Sequence, residues 1–332
     1  MTPSHEIMTE AAQWYALLIS GEACPADRVR WQAWLTSHPE HRRAWTYVES
    51  VSQRVLAPLQ ETPDPPLLAA KIHDVHTRIR SRRRVLAGLG ILAGVGLVGW
   101  ASRPHTPIAD ALSAWMADYR TGTGDIREFK LADGSRIWLN AATAVNAEIQ
   151  VRLRKLTLVA GEVLISTAQG DSRPFIVETP QGSLRALGTR FTVRRESGHT
   201  FLAVYDGSVE IRTADNAATR IIPTGQQVRF TPDRISNATP ADPAREAWSR
   251  GELIAWDLSL ASVVEELSRY HWGHISVASE VAQRRVFGTF PLRDVDGTLA
   301  MLAEAASLHI HKPLPWWISI DPDGTTASTP PR

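Results

Sequence analysis

Two histidine pairs, His271 with His274 and His309 with His311, are the residues whose types and spacing come nearest to a metal site. Zinc takes three or four protein ligands. Neither pair has a second cluster at ligand spacing, so both read as surface or packing histidines and no metal is expected. Gly94-Val-Gly96-Leu-Val-Gly99 matches a dinucleotide-binding fingerprint letter for letter. That motif cradles a pyrophosphate only between a preceding strand and a following helix, and Pro104 closes the stretch soon after; the match is coincidental. The one cysteine, Cys24, excludes an intrachain disulfide and fits a reducing compartment. With no Walker loop, nucleophile elbow or acid pair suited to hydrolysis, the chain reads as a non-enzyme that takes no cofactor.

The elements that would position such residues divide sharply along the chain. Over 332 residues, 36 basic side chains face 35 acidic ones, a net charge of +1 that supplies no global field for nucleic acid or anionic lipid. Charge is instead local. Five arginines between Arg78 and Arg84 abut eighteen uncharged residues, Val85 to Ser102. As a helix, that run spans about 27 Å, close to the roughly 30 Å hydrocarbon layer, and it lacks the polar stripe of a buried soluble helix. A single transmembrane helix over 85–102 follows. Lys71, Arg78, Arg80, Arg82, Arg83 and Arg84 precede it, whereas Arg103 and Arg120 are the only basic residues of the next twenty; this places the N-terminus in the cytoplasm and the C-terminus outside. Arg82 and Arg83 also match a twin-arginine export signal, and a plain positive-inside flank explains them equally well.

Ahead of the span, residues 1–60 predict three short helices. Trp14, Leu17 and Leu18 share one face, Trp31, Trp34 and Leu35 another, and Ser37-His-Pro-Glu40 reads as the capping box of a third helix carrying Trp45 and Val48. So small a unit encloses four indoles poorly, which leaves some for a partner. Five arginines, no lysine and six acidic residues over 1–60 argue against a DNA-reading helix-turn-helix. Prolines between Pro58 and Pro66 open a linker over 61–84.

Beyond the span, over 115–235, short alternating runs separated by glycine turns predict about ten strands, an all-β sandwich or solenoid. "LVAGEVLIS", "FIVETPQGSLRALGTRFTV", "AVYDGSVEIR" and "IPTGQQVRF" occur there in order and resemble the periplasmic domain of the FecR-like sigma-factor regulators of Gram-negative bacteria. The tryptophan-rich front resembles that family's cytoplasmic sigma-binding domain. Leu164 stands where relatives often carry an aromatic. The resemblance implies Trp14, Trp31, Trp34, Leu35 and Trp45 as the sigma-facing residues. It also implies self-cleavage between Gly188 and Thr189, by attack of the Thr189 hydroxyl on the Gly188 carbonyl and hydrolysis of the resulting ester; a turn glycine entering a strand is the plain alternative.

Residues 250–322 repeat a strand, helix, strand plan twice. Leu260, Val263, Val264 and Leu267 line the first helix, and Leu299, Leu302 and Ala303 the second. Two β-α-β units make a small α+β domain that resembles the short signalling domain of TonB-dependent transducers and secretins. The expected protein is therefore multidomain: a small all-α cytoplasmic domain, one transmembrane helix, an all-β periplasmic domain and a C-terminal α+β domain. The resemblance implies an inner-membrane relay between a TonB-dependent receptor for iron-chelate uptake and an extracytoplasmic-function sigma factor, transmitted by envelope proteases and without direct nucleic-acid contact. The rival is a membrane-anchored envelope β-protein that binds polysaccharide or acts as a hydrolase.

Overall fold

The computed structural model describes residues 3–20, 23–60 and 113–324. The linker over 61–84, the apolar run over 85–102, Arg82 and Arg83 lie outside the described residues. Among those described, no helix is long and apolar enough to cross a membrane. A small helical region precedes a large β-rich one, and the chain divides into two compact units.

The first unit holds the described part of residues 1–109 together with Trp272–Glu280 and the described part of 309–332. Its helices are α1 (His5–Ile19), α2 (Pro25–Ser37) and α3 (Pro39–Gln60). The Ser4 hydroxyl caps α1 by accepting from the Ile7 amide. At α2, Pro25 occupies the first turn and the Asp27 carboxylate accepts from the Cys24 amide at 2.8 Å. Hydrogen bonds from Cys24 and then Arg30 pull the Asp27 carboxyl down to about 2. The capping box expected at Ser37 does not form. Ser37 ends α2, donating its hydroxyl back to the Trp34 carbonyl, and the His38 ring accepts the Glu40 amide instead.

The same unit contains a three-stranded sheet in which β19 (Trp317–Pro322) lies between β16 (His274–Val277), with which it runs parallel, and β18 (Leu308–Leu314). Helices and sheet share one apolar cluster. Met8, Ala11 and Ala12 of α1 and Ala44, Val48 and Val51 of α3 pack with Leu314 and Trp317. Polar pairs surround it: Thr9 to Ser319 at 2.9 Å, His5 to Asp321 at 3.0 Å, Tyr47 to His274 at 3.2 Å, and the Trp316 indole N–H to the Ser52 hydroxyl at 3.3 Å.

The second unit is built on a β-sandwich. One sheet orders β1 (Tyr119–Arg120), β4 (Ala144–Ile149), β5 (Arg154–Ala160), β7 (Phe175–Thr179), β8 (Gly182–Ala186), β11 (Ser208–Thr213) and β12 (Thr219–Pro223). The other orders β14 (Thr239–Pro240), β13 (Gln226–Phe230), β10 (His199–Asp206), β9 (Arg190–Glu196), β6 (Glu162–Ser166), β3 (Arg136–Leu139) and β2 (Arg127–Lys130). Alternate residues of both, among them Ile137, Leu156, Phe175, Phe191, Val209 and Phe230, fill one core. The architecture is thus a sandwich, not a solenoid. In β6 and β10 the apolar runs are continuous because both faces are covered: Leu164 is fully buried, and Phe201 lies under the guanidiniums of Arg229 and Arg245 at 5.5 and 4.6 Å.

A 3-10 helix over Pro243–Arg250 leads from the sandwich to β15 (Glu252–Ser259), which pairs antiparallel with β17 (Arg285–Pro291). Helix α4 (Leu260–Leu267) buries all four of its expected apolar residues, and α5 (Val295–Ala306) buries Leu299 and Leu302 with Ala303 half-buried. The strand, helix, strand repeats are present, but the two strands of each repeat join different sheets. β15 pairs with β17, whereas β16 and β18 flank β19, a strand the repeat pattern did not contain.

Candidate functional site

Residues 187–189 carry the chain from β8 in one sheet to β9 in the other. A second crossing, at Gly207 between β10 and β11, runs against the first: the Leu187 amide donates to the Ser208 carbonyl at 3.1 Å. Both Gly188 (φ +76) and Gly207 (φ +74) hold the left-handed conformation that costs glycine least. A Cβ on Gly207 would lie 2.2 Å from the Gly188 carbonyl oxygen, so the carbonyl that self-cleavage would attack is wedged against a neighbouring backbone. The expected result for Gly207→Ala is a loss of about 3 kcal/mol, strain plus displaced backbone. The same change at Gly225 (φ +75), where the added Cβ would meet no atom within 4 Å, should cost about 1 kcal/mol. Thermal unfolding of the two full-length variants checks the difference.

Thr189 is 5% exposed and its hydroxyl has no hydrogen-bond partner among the described residues. Its amide donates to the Thr167 hydroxyl at 2.9 Å, and its carbonyl accepts from the Thr167 amide at 3.1 Å. Thr189 thus has a buried hydroxyl without a hydrogen-bond partner among the described residues, and the Thr167 hydroxyl accepts from the amide nitrogen that an N-to-O acyl shift would release.

The tryptophans expected on one surface divide into two sets. Trp14 is 1% exposed and belongs to the core, so it presents no surface. Trp31 and Trp45 are half-buried with ring centroids 4.9 Å apart, and Tyr15 extends the row to Trp45 at 5.6 Å. The Trp34 ring stacks on His41 at 4.5 Å, and Leu35 is half-buried beside it in sequence. Trp31 and Trp45 therefore form a partly exposed aromatic row, Trp34 and Leu35 are each partly exposed apart from it, and Arg42 and Arg43 on α3 are exposed.

A cavity of about 770 Å³ lies between β9 and β13 of the sandwich and the segment from the 3-10 helix through α4. Its ionic wall has no local signal in the sequence. Arg194 meets Glu266, 72 residues away, and Glu196 at 3.3 Å. Arg269 meets Glu162 at 3.1 Å, Glu162 accepts from the Asn140 amide at 2.9 Å, and the Tyr270 hydroxyl donates to the Asn140 oxygen. Burial pushes the Glu266 carboxyl up, but the guanidiniums of Arg194 and Arg269 more than offset it and hold the group below the ordinary range. A hydrolytic acid needs the opposite shift. These pairs fasten α4 to the sandwich.

Among the described residues, no group of three or more His, Cys, Asp or Glu side chains is arranged to hold a metal ion. His274 packs its ring 4.2 Å from that of Trp317.

Residues 117–210 match the family model described as FecR protein, and residues 9–51 match one described as a domain of unknown function, DUF4880. Two crystal structures of a candidate anti-sigma factor from Parabacteroides distasonis share the fold at a TM-score of 0.51 and 20% identity. Each covers 62% of this chain, and the matches take in 99% and 98% of their own chains. No curated protein matches.

Proposed function

As the bearer of a FecR domain with a DUF4880 segment ahead of it, this chain is FecR-like, and we propose that it regulates an extracytoplasmic-function sigma factor. The observation that carries this is the pairing of the two segments with a helical unit whose aromatic row is half-exposed, supported by the likeness in fold to a candidate anti-sigma factor. Trp31, Trp34, Leu35 and Trp45 receive the sigma factor, holding it back or conditioning its activity. Aromatic anchors of this kind dominate interface energetics, each worth about 2 kcal/mol or more on truncation. Affinity capture of the full chain with an extracytoplasmic-function sigma factor that the wild type retains should therefore weaken about 30-fold or more in Trp31→Ala and Trp45→Ala, and unchanged capture would remove the assignment.

In this proposal the apolar run at 85–102 is a single inner-membrane span, with the N-terminus in the cytoplasm and the sandwich in the periplasm. The signalling domain of a TonB-dependent receptor engages the C-terminal strands, iron chelates being the inferred cargo, and envelope proteases pass the signal inward. Reporter fusions at the two ends test the topology; activity on one side of the bilayer only would overturn it. The contact of α1 and α3 with Trp317 bears on the same point, because it forms only where both ends share one aqueous compartment. The polysaccharide or hydrolase reading has little to rest on: Phe175, Phe191, Phe201 and Phe230 are buried, and Glu162 and Glu266 at the cavity are paired with arginines.

A further inference from the structure

Of the five exposed large apolar side chains among the described residues between 113 and 240, four gather at one end of the sandwich. Val151, 89% exposed, tips the turn between β4 and β5. The strand registers carry that end across the sheet, from Ile149 opposite Arg154 to Phe175 and then Ala186, so the exposed Leu187 lies at the same end. Ahead of β1 the chain runs alongside β4, with the Asp118 carboxylate accepting from the Ala147 amide at 3.0 Å. That course brings Trp115 and Met116, the latter 73% exposed, towards the same turn. Only Ile221, on β12, lies elsewhere. Single apolar residues scattered over a surface are ordinary, whereas a set gathered at one end marks a contact.

The cations of this end suit an anionic lipid surface. Arg120 holds its guanidinium over the Trp115 ring at 5.9 Å and donates to the Trp115 carbonyl. Arg152, next to Val151, is exposed. No ion pair among the described residues includes either guanidinium, while the acids alongside are engaged, Glu148 with Lys155 at 2.7 Å and Asp171 with Arg173. Tryptophan and arginine are side chains that settle at a membrane surface, the indole at the headgroup level and the cation on phosphate. Chain continuity agrees. Ten residues, 103–112, separate the apolar run from Ser113, the first described residue of this unit, and the chain enters the sandwich at this end.

We propose that this end of the sandwich rests on the anionic headgroups of the outer leaflet beside the span, through Trp115, Met116, Val151 and Leu187 with Arg120 and Arg152. The opposite end, with the turns at 180–181 and 214–218, then faces away from the bilayer. The sandwich is thereby held in one orientation at the point where its own chain leaves the membrane. This rests on the single-span reading above, and the experiment separates the two.

The full chain with Cys24→Ser and Val151→Cys carries one thiol, to be labelled with a nitrobenzoxadiazole fluorophore and reconstituted in lipid discs of phosphatidylcholine and phosphatidylglycerol. Lipid with a nitroxide on its headgroup should quench this probe about fivefold more than the same probe at Ala214→Cys, an exposed position on the opposite turn. Adding Trp115→Ser and Arg152→Glu, both at exposed sites, should cut that difference about threefold, and discs of phosphatidylcholine alone should cut it about twofold. Equal quenching at 151 and 214 overturns the docking, as does a difference that survives the double substitution or the loss of the anionic lipid. Shielding of the Val151→Cys probe from aqueous iodide without quenching by the lipid nitroxide assigns a protein to this end and overturns the docking too. Recovery of the chain outside the discs overturns the single-span reading and the docking with it. A chain retained in the discs with equal quenching at the two positions overturns the docking alone.

Discussion

Arg269→Met should destabilise the second unit by about 3 kcal/mol, because it removes the directly paired partner of the buried Glu162 carboxylate and leaves it only the more distant charge of Arg194. Glu162 has a side chain only 7% exposed and keeps a single remaining donor, the Asn140 amide, once Arg269 is gone. The methionine preserves much of the arginine's apolar stem, so the loss reports charge and not packing. Adding Glu162→Gln to the same chain should recover more than half of it, since a neutral amide needs no counter-charge. Thermal unfolding would show the single variant falling by on the order of 10 °C and the double variant recovering towards wild type. Equal midpoints for the single variant and the wild type would show that the pair contributes nothing. Acid should weaken the same wall. The folded value of Glu266 lies below its ordinary 4.5, so its stabilisation is present at neutral pH and is lost as pH falls from about 4.5 through the depressed folded value.

If the self-cleavage implied for Gly188-Thr189 operates, the wild type yields fragments 1–188 and 189–332 and Thr189→Ala leaves the chain in one piece, resolved by denaturing electrophoresis and intact mass. The expected effect on the cleavage rate is more than 10³-fold, since without the hydroxyl there is no nucleophile for the Gly188 carbonyl. Thr189→Ser, which keeps the oxygen, should still cleave. Thr167→Val should slow the step by about tenfold, because it removes the one side chain hydrogen-bonded to the departing nitrogen at 2.9 Å. A wild-type chain that stays intact would reduce the Gly188-Thr189 corner to a crossing between sheets. Fragments that persist in Thr189→Ala would assign the cut to another agent.

Much of the local structure is legible residue by residue. Trp14 with Leu17 and Leu18, and Leu260 with Val263, Val264 and Leu267, repeat at helical spacing, and helices stand at both places. The glycine turns mark strand ends, and Phe175, Phe191 and Phe230 are core, as alternation with polar residues implies. Periodicity reports which side of an element is apolar, and burial then follows. The capping box at Ser37 failed because the same hydroxyl had a closer partner in the Trp34 carbonyl of its own helix.

What the sequence by itself determined is therefore the kind and order of elements, the apolar face of each, and the residues by which the chain resembles the FecR-like family, because these depend on neighbours a few positions apart. Only the tertiary structure decided which strands pair, that Trp14 is core while Trp31 and Trp45 are half-open, that Gly188 rests on Gly207, and that Arg194 meets Glu266. Those outcomes rest on contacts between residues far apart along the chain, where many pairings satisfy the same local pattern and only the packing of the whole unit selects one.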